Sequence, residues 1–172
     1  MEPPQVPAGQ YQPEGSYGDA RRAAFIDEIE AAPLHVRDAV ADLNDHQLDT
    51  KYRDWTIRQI VQNLADSHAN CYVRFKWALT ENEPLIKAYD ETRWSELPDA
   101  CTGDVTAPIA LLAGVHACWT QLLRKMAPAD FQRGFNHPET GKLVLLADAL
   151  PSYAWHCRHH TGQILWIRAH RE

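Results

Sequence analysis

The chain has 172 residues, a formal net charge of -6, and 45% hydrophobic and 23% charged residues. That length suits one domain with a core large enough to stand without disulfides. The negative balance, with no run of Lys or Arg, argues against a nucleic-acid partner. Four cysteines, at 71, 101, 118 and 157, form no CxxC pair; they read as reduced thiols of a cytoplasmic protein.

Met1 to Gly18 is rich in Pro, Gly and Gln. Without an apolar core it is no signal peptide, and it reads as an arm lying on the surface or on a partner. Residues 19–172 are expected to form a single four-helix-bundle domain that binds metal. Asp19 is placed to cap a first helix, whose apolar positions Phe25, Ile26 and Ile29 recur at helical spacing. Pro33 is expected to break or kink it, with a second piece through Leu34, Val36, Val40 and Leu43. Asn44 to Asp54 reads as a loop. Thr56 and Gln59 then form a capping-box pattern flanked by Trp55 and Ile60. The helix they open carries Ile57, Ile60, Val61, Leu64, His68, Tyr72, Phe75 and Leu79 on one stripe. Glu81 to Thr106, containing Pro84 and Pro98, is a connection long enough to suggest function.

Thr106 is placed to cap a third long helix with Pro108 in its first turn. Its stripe runs Ile109, Leu112, Ala113, His116, Trp119, Leu123 and Met126, and Pro128 ends it. Phe131 to Gly141 reads as a turn-rich connection. The last helix starts near Asp148, with Pro151 in its first turn, and passes Tyr153, His156, His160, Ile164 and Ile167. No strand alternation and no membrane-length apolar stretch of about 20 residues stands out. The fold class expected is all-α, a four-helix bundle with long connections.

Nine histidines are present, and three have a special setting. His68 lies on the apolar stripe of its helix. His156 and His160 are four apart, which stacks two imidazoles on one helix face. A third imidazole from a facing helix would complete a three-nitrogen site for a divalent metal, Zn2+ before Ni2+, with a coordination position left open. The competing reading is a packed core histidine and a solvated pair. His159, three from His156, offers an alternative pairing. His116 is a candidate fourth or substitute ligand, or a core residue. His35, His46, His137 and His170 read as exposed. No glutamate follows His156 as in the H-E-x-x-H arrangement, so no general base is built into the motif; Asp66 is the weak candidate for that catalytic role, and otherwise a solvated helix residue.

The stretches Trp55-Thr56-Ile57-Arg58-Gln59-Ile60 and Ala65-Asp66-Ser67-His68 closely resemble the DinB/YfiT-like superfamily of metalloenzymes. So do the run from Tyr72 to Glu81 and Tyr153-Ala154-Trp155-His156-Cys157-Arg158-His159-His160. Pro7 to Tyr11 and His137 to Gly141 extend the likeness over nearly the whole chain, within the YfiT branch. The resemblance implies a metal site of His68, His156 and His160, a zinc- or nickel-dependent hydrolase, and a homodimer. Cys157, where the family often has a small residue, and Pro151 depart from the pattern.

Three functions follow from these residues. The first is a metal-dependent hydrolase acting on a small-molecule substrate. The second is an S-transferase for a low-molecular-weight thiol, with Arg74 or Arg158 holding a carboxylate of that thiol. The third is a non-catalytic metal-binding module. Neither a nucleic acid nor a membrane is expected as partner.

Overall fold

The structure, a computed structural model, describes residues 2–170. Four long helices build it: α1 (Asp19–Val40), α3 (Ile57–Thr80), α6 (Thr106–Leu123) and α7 (Leu146–His170). Round the bundle they stand in the order α1, α6, α3, α7, so α1 and α3, successive long helices, face each other across the diagonal. Short helices α2 (Asp45–Leu48), α4 (Glu91–Ser95) and α5 (Pro98–Thr102) occupy the connections. Arg171 and Glu172, the end of the expected domain, lie outside the described residues.

Two expectations need correction. The fold is mostly helical rather than all-α, because both turn-rich connections pair into hairpins. β1 (Lys51–Tyr52) pairs with β2 (Trp55–Thr56), and β3 (Gly134–His137) with β4 (Lys142–Leu145), both antiparallel. Strands of two and four residues are too short to leave a readable alternation. Gly134 is required in the second hairpin, since a Cβ there would lie 2.5 Å from the Val144 carbonyl oxygen. The Asn44–Asp54 stretch likewise holds α2, which has its own capping box between Asn44 and Gln47. The second correction concerns apolar length. α6 is an 18-residue window of mean hydropathy 1.3, enough by length and composition to cross a membrane. It packs instead on α1 and α3, burying Leu112, His116, Trp119 and Leu123.

The Thr56–Gln59 capping box forms as expected, with both reciprocal hydrogen bonds, 2.8 and 3.2 Å. The caps at the other two helix starts differ. Gly18 rather than Asp19 precedes α1, and Val105 precedes α6, whose Thr106 amide is taken by Asp104 at 2.9 Å. The N-terminal arm lies on its own bundle. Trp155 donates to the Gly9 carbonyl at 2.9 Å, and Pro7 sits against Gly162.

Both internal prolines are accommodated by a distant donor. A proline in a helix leaves the carbonyl four residues earlier without its N–H. Pro33 does not break α1; it frees the Ile29 carbonyl, which accepts from the ring of His116. Pro151 lies beyond the first turn of α7 and frees the Ala147 carbonyl, which accepts from the Tyr17 hydroxyl at 2.5 Å. Side chains far away in sequence thus satisfy the buried acceptors.

The apolar core is divided in two. One cluster contains Phe25, Ile29, Phe75, Trp119, Phe135 and Ala154, the other Val36, Ile57, Leu64, Leu112 and Ile164. On every long helix the change from one cluster to the other falls at the same level. It passes Pro33 on α1, His68 on α3, His116 on α6 and the His156–His160 turn on α7. A layer of imidazoles therefore crosses the middle of the bundle.

Candidate metal centre

His68 is wholly buried, His160 is 7% exposed, and His156 is intermediate. The i, i+4 spacing places His156 and His160 on one face of α7, and that face meets α3 at His68. His68 Nε2 lies 3.2 Å from His156 Nδ1, and His156 Nε2 lies 3.1 Å from His160 Nε2. Desolvation, reinforced by the neighbouring imidazoles, lowers the pKa of His68 and His156 well below the usual histidine value; burial brings His160 to about 4. All three rings are therefore neutral at neutral pH, the form in which imidazole binds metal.

The protons in this layer can be assigned from its two ends. At the inner end, the Ile29 carbonyl can only accept, so His116 carries its proton on Nδ1. His116 Nε2 then accepts from His68 Nδ1 at 2.9 Å. This leaves the lone pair of His68 Nε2 turned toward His156. At the outer end, His160 Nδ1 donates to Gln163 Oε1 at 2.7 Å, and the Gln163 amide nitrogen faces His159 at 3.1 Å. With Gln163 so oriented, His160 Nε2 is also a lone pair. Four ring nitrogens thus meet in two pairs, one on each side of His156, and a neutral His156 brings one proton. Three lone pairs remain, one for each histidine, with no ammonium, guanidinium or carboxylate bonded to them among the described residues. A donor set of three neutral imidazoles suits a borderline divalent cation.

The other candidates separate clearly. His159 turns away from His68; its ring stacks on Trp155 at 4.9 Å. His116 is buried in the layer, one ring further in. Cys157 is also buried, its Sγ 3.7 Å from His68 Nε2. The three residues that bring one donor atom each to within 4.8 Å of one another, and so could hold a metal, are His68, His116 and Cys157, a set that shares only His68 with the trio expected from the sequence. Against it, both His116 nitrogens already have partners, and burial pushes the Cys157 thiol upward, away from the thiolate a metal requires. Asp66 bonds Gln62 at 3.1 Å, and no hydrogen bond joins it to the histidines. His137, read from sequence as exposed, is half-buried at the end of β3, and its Nδ1 is buried without a partner. His116 was the functional residue hardest to place from sequence. Its place on the apolar stripe of α6 marked it only as a candidate; that it serves the carbonyl freed by Pro33 appears only in the fold.

The centre is open at its outer end. His160 and Gln163 line a cavity of about 430 Å³ together with Tyr52, Trp55 and Thr92. Thr92 also lines a second, mostly polar cleft of about 410 Å³, floored by Ser67, Arg74 and Tyr153. Tyr153 connects that cleft to the histidines, its ring centroid 5.0 Å from that of His68.

These features define a helical bundle with a buried polyhistidine centre. The DinB superfamily model matches residues 28–164, and the chain belongs to that family. It is 46% identical over 160 residues to "Putative metal-dependent hydrolase YfiT" of Bacillus subtilis, covering 92% of this chain and 90% of that one. It is 44% identical over 164 residues to a protein of the same description from Bacillus mycoides, covering 94% of each. In structure it is similar to YfiT from Bacillus subtilis, described as "a probable metal-dependent hydrolase with an unusual four-helix bundle topology". The TM-score is 0.92 at 44% identity, with 95% of each chain covered.

Proposed function

We propose that this protein is a metal-dependent hydrolase whose divalent cation, zinc before nickel, is held by His68, His156 and His160. The observation that supports this reading is the proton count: His156 stands within 3.2 Å of His68 and 3.1 Å of His160, and the four nitrogens of these two contacts share one proton, which leaves one lone pair on each ring. When bound, the cation supplies Lewis acidity and makes water nucleophilic near neutral pH. The chain's own residues do the rest. His116 and Gln163 hold the tautomers of His68 and His160. Trp55 stacks over His160 at 6.2 Å and, with Tyr52, walls the opening through which a small substrate enters.

A thiol S-transferase is the second reading. It is favoured by the absence of any carboxylate hydrogen-bonded to the three histidines among the described residues, since a thiol held as thiolate needs no general base.

The test is elemental analysis of untagged protein beside a His68→Ala, His156→Ala, His160→Ala variant, followed by assay of stripped and reloaded protein on activated esters, amides and thiol acceptors. About one metal per chain, absent from the variant, with ester or amide hydrolysis restored on reloading, is the expected result. Equal metal in both proteins overturns the site. Turnover of thiol acceptors alone selects the transferase.

A homodimer is the proposed assembly, paired through α6. Its outer face carries Ala107, Ala110, Leu111, Gly114 and Cys118, all exposed and none charged. Light scattering is expected to give twice the chain mass for the parent protein. Leu111→Arg should lower it to one chain, because a buried unpaired charge is costly.

A further inference from the structure

Arg58 and Arg74 lie on the same helix and are almost equally buried, 7% and 8% exposed. Their surroundings are opposite. Arg58 is fully engaged: its guanidinium bonds Asp45 at 2.6 Å, Asp49 at 2.8 Å and the Gly103 carbonyl at 2.8 Å. It joins α2, α3 and the end of α5. Arg74 makes no hydrogen bond and no ion pair among the described residues, and it lines the polar cleft beside the metal centre. Its side chain is largely enclosed while its head group opens onto the cleft, and a cation that no acid of the chain neutralises is free to pair with an anion from outside.

Three further features support this. His137 lines the same cleft, and its Nδ1 is buried with no partner. Ser67 stands seven residues before Arg74 on the same face of α3 and adds a hydroxyl. Tyr89 and Tyr153 add phenol hydroxyls to the lining. The carboxylates of the cleft, Asp90, Glu91 and Glu139, are exposed at its rim, and none forms an ion pair with Arg74. Arg74 is therefore not neutralised by any carboxylate of the cleft.

We infer that Arg74 and His137 form an oxyanion subsite that binds a carboxylate or phosphate group of the substrate. Arg74 is six residues from His68 along α3, about 9 Å of helix rise, which suits a small substrate anchored at one end and reacting at the other. Assigning the anion to the substrate rests on the metal-centre reading above; the anion site itself does not.

Calorimetry and thermal melts of metal-free protein with acetate and with inorganic phosphate, at constant ionic strength set by chloride, test it. Saturable binding of at least one anion is expected, and the stronger of the two identifies the group. Arg74→Gln should lose at least tenfold in affinity while melting no lower than the parent without anion, because it breaks no hydrogen bond or ion pair among the described residues. His137→Ala should weaken the same anion less. No saturable binding to the parent, or equal binding by Arg74→Gln, overturns the subsite. So does binding that appears only after zinc loading and survives Arg74→Gln, since the metal would then be the anion's receptor. A protein that takes up no zinc yet binds the anion through Arg74 refutes the metal centre and leaves the subsite standing.

Discussion

Replacing His68 with alanine is expected to abolish tight zinc binding, and replacing His116 with phenylalanine to weaken it by about 10- to 100-fold. The difference follows from what each ring does. On the proposed reading, His68 would supply a lone pair to the cation. His116 supplies none; it accepts the Nδ1 proton of His68 and so keeps the Nε2 lone pair pointed at His156. Its own orientation is set by the Ile29 carbonyl, which is available only because Pro33 has no N–H. Pro33→Ala should therefore also lower zinc affinity, by a smaller factor, because the restored amide competes for that carbonyl. The same substitution removes a poor helix former from α1, so the affinity should fall without loss of thermal stability. That separates an effect on the His116 tautomer from partial unfolding. Competition with a chromogenic zinc chelator measures the series. If His116→Phe and Cys157→Ser each cost as much as His68→Ala, the ion sits instead among His68, His116 and Cys157.

Trp119→Ala is expected to lower stability by about 3–5 kcal/mol, read from urea unfolding. Trp119 is wholly buried on α6 at the boundary between the apolar cluster of Phe25 and Phe75 and the histidine layer. Its ring packs edge-on against Phe75 at 5.1 Å, Tyr153 at 5.8 Å and His68 at 6.0 Å. Removing it opens a cavity that touches three of the four long helices, and close-packed surroundings close such a void only in part. Trp119→Phe should cost much less, because it also deletes an indole N–H that has no partner here. The alanine variant should bind zinc more weakly as well, since Trp119 holds the His68 ring from the side. Equal stability of the alanine and phenylalanine variants would show that the site collapses freely and that Trp119 does not brace the layer.

Much of this centre is legible from local patterns. The His156–His160 pair shares a face because four residues nearly complete one helical turn. His68 is marked by a polar residue on an otherwise apolar stripe. The Thr56–Gln59 box marks the start of α3 because both of its hydrogen bonds lie within a single turn. The connection from Glu81 to Thr106, unusual in length, supplies Tyr89 and Thr92 to the linings of the two openings.

What the sequence by itself determined was therefore whatever depends on neighbours within a turn or two: helix starts, apolar stripes, the imidazole pair and the family motif. What only the tertiary structure decided depends on partners far along the chain. Pro33 reads as a helix break because its cost is local. The group that meets the cost, His116, comes from 87 residues away, so no pattern around Pro33 could reveal it. Arg58 and Arg74 look alike in the sequence of α3, and only packing shows that one is neutralised by acids from another segment while the other lines a polar cleft. The hairpins escape notice for the same reason, since two- and four-residue strands exist only through their pairing. Charges, orphaned carbonyls and lone pairs take their meaning from what lies opposite them, and folding decides what lies opposite.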